Sequence, residues 1–282
     1  MDDVVTVDVE WSPDGSQLLR VSPTGPIYRS YADGTGTVEL TQGYQPSWSP
    51  DGAIIVFQRE TPGSTIAESD IFVIGADGSG ERRLTMSPEF REVWPSWSPD
   101  GARILYSRWA TDGTGNSPGY KPEVVTMDVT TGQVDVIGGG REPAYSPDGA
   151  LIAIEECFGL VVIDAASHAE RFFDASAACY APAWSPDSTQ LAYAVNDRIS
   201  VMDVSSGDIR ELAPFPDAVF VMLVDWSPDG TQVASIVTIA CETCFEGGQR
   251  GILVVQSSAA GEPPRWLADT PAGGDLEWEP AR

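Results

Sequence analysis

Six times along its 282 residues the chain spells an aromatic residue followed by Ser-Pro-Asp-Gly, or by that motif with one letter changed. The aromatics are Trp11, Trp48, Trp97, Tyr145, Trp184 and Trp226, and the fifth copy carries Ser188 in the glycine position. Successive copies lie 37, 49, 48, 39 and 42 residues apart. Self-similarity at a fixed period of this size means one supersecondary unit repeated along the chain, with each unit burying its apolar face against the next.

Within a repeat the order of signals is constant. The aromatic closes one strand, and Ser-Pro-Asp-Gly makes a tight turn whose last residue must accept positive φ. An apolar run then forms a second strand, as in Ile54-Ile-Val-Phe57, Arg103-Ile-Leu-Tyr106 and Leu151-Ile-Ala-Ile154. A third strand ends in an Asp- and Gly-bearing turn, as in Asp70 to Gly78, Val124 to Gly132 and Ile199 to Gly207, and a short outer strand follows. Four strands per period of about 40–50 residues is the pattern of a propeller blade. The expectation is an all-β chain forming a six-bladed β-propeller of four-stranded antiparallel blades. It is read as one domain over residues 1–282, with repeats starting near 8, 45, 94, 142, 181 and 223. The strand at 275–279, with Val4-Val-Thr-Val7, is expected to close the ring. Seven blades, the last truncated, is the alternative.

The series aromatic-Ser-Pro-Asp-Gly, strand, Val-Met-Asp-x-x-x-Gly, then Leu-Thr resembles the repeats of TolB-type propellers, also seen in the propellers of prolyl-oligopeptidase-like proteins. The resemblance covers nearly the whole chain. It implies the fold, and a face that binds a protein partner, while the architecture by itself hosts unrelated activities. No preceding helical domain and no following hydrolase domain is recognised, so those proteins' functions are not expected to transfer whole.

Charge narrows the partners. With 42 acidic and 16 basic residues the formal net charge is −26, which repels nucleic acid and anionic lipid surfaces. The excess is read as a solvating surface. No apolar run approaches the ~18 residues needed to span a bilayer, so no direct membrane insertion is expected. Met1-Asp-Asp-Val4 has neither a basic nor an apolar leader segment. Four cysteines permit two disulfides: Cys157 with Cys179 across one blade, and Cys241 with Cys244 locally, zinc being the rival reading. Paired cysteines would favour the periplasm or cell surface of a bacterium.

Almost all variation in repeat length falls between second and third strands or between blades: Gln58 to Ser69, Ser107 to Pro122, Thr238 to Arg250 and Met86 to Val93. Long loops on a rigid scaffold are where binding is expected. The motif tryptophans are expected to pack between sheets. Phe90, Trp94, Trp109 and Tyr120 fall outside the motif frame and are placed on the loop face of the third blade. Tyr44, Arg141, Glu142 and Tyr180 precede first strands and are placed at the channel mouth. Exposed aromatics with arginine are typical interface anchors; loops packing on their own aromatics is the competing account.

Catalytic chemistry is sparse in the sequence. The single histidine, His168, lies in a turn between third and fourth strands, on the opposite face, and is expected to be solvated. There is no Gly-x-Ser-x-Gly elbow. Glu155 and Glu156 are adjacent on a strand and must point to opposite faces; solvation at a strand edge is the expected account of both. Asp112-Gly-Thr-Gly-Asn116 offers oxygens for Ca²⁺ without the twelve-residue EF-hand spacing; otherwise no cofactor is expected. The reading is a non-catalytic module that binds a protein or peptide, as a monomer or within a larger complex. A carbohydrate-active lyase or hydrolase working with carboxylates on the same face is the alternative.

Overall fold

The computed structural model describes residues 8–60, 68–110, 121–156, 159–174, 182–215, 218–240, 249–257 and 265–270. They form six four-stranded antiparallel sheets, each ordered as the chain runs. Sheet one holds β1 (Asp8–Trp11), β2 (Gln17–Val21), β3 (Pro26–Tyr31) and β4 (Val38–Gln42). Sheet two holds β5 (Tyr44–Trp48), β6 (Ile54–Glu60), β7 (Ser69–Gly75) and the two-residue β8 (Arg82–Arg83). Sheet three holds β9 (Phe90–Trp97), β10 (Arg103–Ala110), β11 (Glu123–Asp128) and β12 (Val134–Gly139). Sheet four holds β13 (Arg141–Tyr145), β14 (Leu151–Glu156), β15 (Gly159–Asp164) and β16 (Glu170–Asp174). Sheet five holds β17 (Ala183–Trp184), β18 (Gln190–Val195), β19 (Arg198–Asp203) and β20 (Ile209–Glu211). Sheet six holds β21 (Ala218–Trp226), β22 (Gln232–Ala240), β23 (Gln249–Ser257) and β24 (Arg265–Thr270). The backbone groups into two compact units, Met1–Tyr145 and Ser146–Arg282.

The repeated turn explains the repeated sequence. In every copy the serine Oγ donates to the aspartate Oδ1 at 2.6–2.7 Å. The same Oγ accepts the backbone N–H five residues on at 2.9 Å. The aspartate also accepts the N–H two residues beyond it at 3.0 Å. These charge-assisted bonds hold all six carboxyls below the usual aspartate pKa. Ser188 replaces glycine at φ +62°, where a side chain is disfavoured. Its hydroxyl accepts the Asp148 N–H of the preceding turn at 3.0 Å, which offsets part of that penalty.

Four of the sheets pack on their predecessors through the motif aromatic. Within the first unit, Trp48 joins Leu19, Val21 and Ile27 of sheet one, and Trp97 joins Val56, Ile71 and Val73 of sheet two. Within the second, Trp184 packs on Ala153, Leu160 and Val162, and Trp226 on Ala192, Ala194 and Val201. Trp48, Trp97 and Trp226 are buried, as expected of inter-sheet residues.

Polar side chains complete the contacts at the edge strands, whose outward backbone groups have no ladder partner. Glu10 accepts the Trp48 N–H at 3.2 Å and the Ser47 hydroxyl at 3.3 Å. Gln58 Oε1 accepts the Trp94 N–H at 2.8 Å, and Ser69 Oγ donates to the Glu92 carbonyl at 2.6 Å. In the second unit, Trp226 Nε1 donates to the Ala183 carbonyl at 3.0 Å. Burial pushes the Glu10 pKa from 4.5 up to about 8, against these hydrogen bonds.

Candidate functional site

Three first strands share a bend that the sequence marks with proline. Gln45, Trp94 and Glu142 have φ of +49°, +54° and +46°, and each precedes a proline, Pro46, Pro95 or Pro143. All three prolines lie on edge strands, where the missing N–H breaks no ladder bond. In sheet three the pairing slips between Leu105 and Ser107, so that Trp94 and Pro95 together oppose Tyr106. A bulge of this kind re-aims side chains.

Here the bulge builds an aromatic corner. Trp109, next to Arg108 in β10, lies on the face of sheet three away from sheet two, and the bulge brings Trp94 to it. The two indoles lie 5.2 Å apart between centroids at 53°, a tilted pair, and both are half-buried. On the face toward sheet two, Arg108 stands directly between Glu92 of β9 and Glu123 of β11 in the strand register. Its Nε and Nη2 donate to Glu123 Oε2 at 2.8 Å, and its guanidinium lies 4.2 Å from the Phe90 ring centroid. The corner occupies the end of sheet three away from its Ser98-Pro-Asp-Gly101 turn.

Glu92 is the residue that sequence reading passed over. It is 1% exposed, and burial pushes its pKa from 4.5 up to about 7, helped by the nearby Asp70 charge. Thr85 is its hydrogen-bond partner, while Oε2 is buried with none. Burial, with the Glu92 charge, also raises the Tyr106 phenol. The available signal was a carboxylate on the alternation that carries Phe90, a position facing the core rather than solvent.

The expected site residues divide. Phe90, Trp94 and Trp109 gather at the corner, but on strands rather than loops: Ala110 pairs with Phe90 and Trp109 with Arg91, so β9 and β10 run further than motif spacing suggests. Tyr44, half-buried, packs on the apolar cluster of sheets one and two, its hydroxyl close to Gly25. Arg141 and Glu142 are half-buried on edge strand β13. Tyr120, Tyr180, the four cysteines and Asp112–Asn116 lie outside the described residues. Glu155 is 1% exposed, so it is not solvated at an edge as expected; it is the penultimate residue of β14, in a strand buried on both faces, while Glu156 is half-buried. His168 is exposed in its turn at φ +58°, donating its N–H to the Asp164 carbonyl.

Crevices of about 290 and 310 Å³ open between neighbouring motif turns, one at Asp14 and Asp51, the other at Asp187 and Asp229. Those carboxylates are already held within their own turns. Among the described residues no three His, Cys, Asp or Glu side chains are grouped to hold a metal ion, and no helix is long and apolar enough to cross a membrane.

No protein-family model matches the chain, and no curated protein matches it in sequence. Solved structures do match. TolB from Acinetobacter baumannii aligns at 18% identity with a TM-score of 0.50 over 90% of this chain, which spans only 52% of that protein. A TolB-type chain of Agrobacterium tumefaciens aligns at 19% identity and TM-score 0.56, over 98% of this chain and 87% of that one. Oligogalacturonate lyase from Vibrio parahaemolyticus aligns at 14% identity and TM-score 0.66, covering 94% and 77%. At these identities the likeness concerns the fold: a distant, broad-coverage match to TolB-type propeller proteins.

Proposed function

We propose that the chain is a non-catalytic propeller that binds a protein or peptide partner at the aromatic corner of sheet three. The observation that carries this reading is the Trp94–Trp109 pair, half-buried and held in place by a bulged, positive-φ backbone. Strained backbone persists where the surroundings over-determine it, often at ligand sites. Tryptophan and arginine are among the residues enriched in interface hot spots. On this reading the six sheets are blades of one ring, and the protein works outside the cytoplasm, in keeping with its TolB-like repeats and the disulfides expected of its cysteines.

The test is capture from an envelope extract of the source organism with wild type and with Trp109→Ala, followed by affinity measurement on the purified partner. Loss of at least about 2 kcal/mol, some 30-fold in Kd, is expected for a central tryptophan. Equal affinity for the two forms would end the proposal.

One observation favours a second reading. Glu92 and Arg108 lie at the same end of sheet three as the indole pair, on the face toward sheet two, and a carboxyl with a raised pKa next to a guanidinium is a starting point for the carbohydrate chemistry named for the lyase. Elimination on uronide oligomers, followed by ultraviolet absorbance of the unsaturated product, tests it. Activity abolished in Glu92→Gln would favour the enzyme.

A further inference from the structure

We infer that Arg108 is a proton-controlled switch, bonded to Glu123 while Glu92 carries its proton and drawn across the strand to Glu92 when that proton leaves. Three observations carry it. Glu92 lies in the interior between sheets two and three, with one carboxyl oxygen fully buried and unpartnered. Arg108 is its cross-strand neighbour on the same face, where opposed Cβ atoms are about 5 Å apart. Yet Arg108 is turned the other way, onto Glu123, whose side chain is 44% exposed. A guanidinium held by a half-solvated carboxylate, with a buried one as its cross-strand neighbour, is the arrangement expected when the buried one is uncharged.

The other cation that acts on Glu92 is Arg83, whose charge favours ionisation but which is engaged elsewhere. From sheet two, Arg83 is bonded to Asp70 at 2.6 Å and to the Thr85 carbonyl at 2.7 Å. The Asp70 carboxylate opposes ionisation of Glu92. The Thr85 hydroxyl accepts the Ile71 N–H at 2.9 Å, so its own hydrogen points to Glu92. From sheet three, Tyr106 is neutral and Arg91 is exposed on the other face of β9. On β13, which packs against β9, Arg141 and Glu142 have partners of their own. Ionised Glu92 would therefore stand buried with one hydroxyl donor and a cation engaged elsewhere, an arrangement that favours recruiting Arg108.

The swap changes the corner. Arg108 now covers one face of Phe90 at 4.2 Å. Drawn to Glu92, it uncovers that ring and leaves Glu123 as a solvent-facing anion. The corner thus presents a capped aromatic on the acid side of neutrality, and a bare aromatic beside a free carboxylate on the alkaline side. The switch does not depend on the partner reading; only its consequence for binding does.

The experiment follows the Arg108 Nε–Hε cross-peak by NMR in the intact protein from about pH 5 to about pH 9, the peak being assigned by its absence in Arg108→Lys. The expected result is a single titration with a midpoint near 7, absent in Glu92→Gln. A second variant guards against misfolding: Glu123→Gln alters an exposed side chain and removes the competing carboxylate. Arg108 is then available to Glu92 and the midpoint falls by about one pH unit or more. A flat wild-type profile, or an unmoved midpoint in Glu123→Gln, overturns the inference. A titrating peak with unchanged partner affinity in Trp109→Ala leaves the switch standing and removes the binding site.

Discussion

Replacing Glu92 with glutamine should alter how stability depends on pH, beyond any constant offset. Burial raises the folded-state pKa from 4.5 to about 7. Between those values the unfolded chain has released this proton while the folded chain retains it. The folded state therefore binds more protons, and stability falls as pH rises through the window. At about 1.4 kcal/mol per pH unit, a gap of about 2.5 units corresponds to about 3 kcal/mol, or about 2–3 once some solvent screening is allowed. Glutamine cannot ionise. The unfolding free energy of Glu92→Gln relative to wild type should therefore shift in the variant's favour by about 2–3 kcal/mol between pH ~5 and pH ~8. Urea unfolding followed by tryptophan fluorescence at both pH values measures it. Glu10, pushed up to about 8 by burial, destabilises in the same direction but equally in both proteins, and cancels. A difference that stays constant with pH, or moves against the variant, would refute the account of Glu92 as a carboxyl buried without a counter-ion.

Three further outcomes are expected. Ser146 is 0% exposed and joins Asp148 Oδ1 at 2.6 Å to the Leu151 N–H at 2.9 Å; Ser146→Ala should destabilise by about 2–4 kcal/mol in urea unfolding, because it deletes a charge-assisted bond and strands a donor. A Cβ at position 43 would lie 2.4 Å from Phe57 Cδ2 and 2.8 Å from the Gln58 carbonyl oxygen, so Gly43→Ala should lower stability by about 1–3 kcal/mol and reduce Tm. Asp229 is held down to about 2 by its turn, so its stabilisation is complete above pH ~4 and lost as pH falls toward 2; Asp229→Asn should flatten acid unfolding there, and an unchanged acid limb would contradict the turn's role.

The repeat was legible because one local device is copied six times. Ser146, Asp148 and Leu151 satisfy one another within six residues, so the motif predicts the turn wherever it occurs, even with Ser188 in the glycine position. Strand order followed from the same frame. The ends of β9 and β10 were not legible, since Phe90, Arg91, Trp109 and Ala110 are strand only by virtue of pairing with one another. Trp94 falls outside the motif frame in the sequence, but its aim depends on a bulge that only the Trp-Pro dipeptide hints at. Glu92 and Glu155 were missed or misjudged for a related reason. A charged residue in a strand reads as solvent-facing, and its burial is decided by the adjacent sheet, which local sequence does not describe.

The edge contacts bear on how such a chain diversifies. Every repeat carries the same turn, but Glu10, Gln58 and Ser69 serve particular neighbours, namely the edge groups of Trp48, Trp94 and Glu92. A copy moved by recombination to another place in the chain would arrive with a turn that fits and a flank that does not. Duplicated units locked together in this way lose their interchangeability, and the order of the six becomes an inherited property of the whole rather than of any one of them.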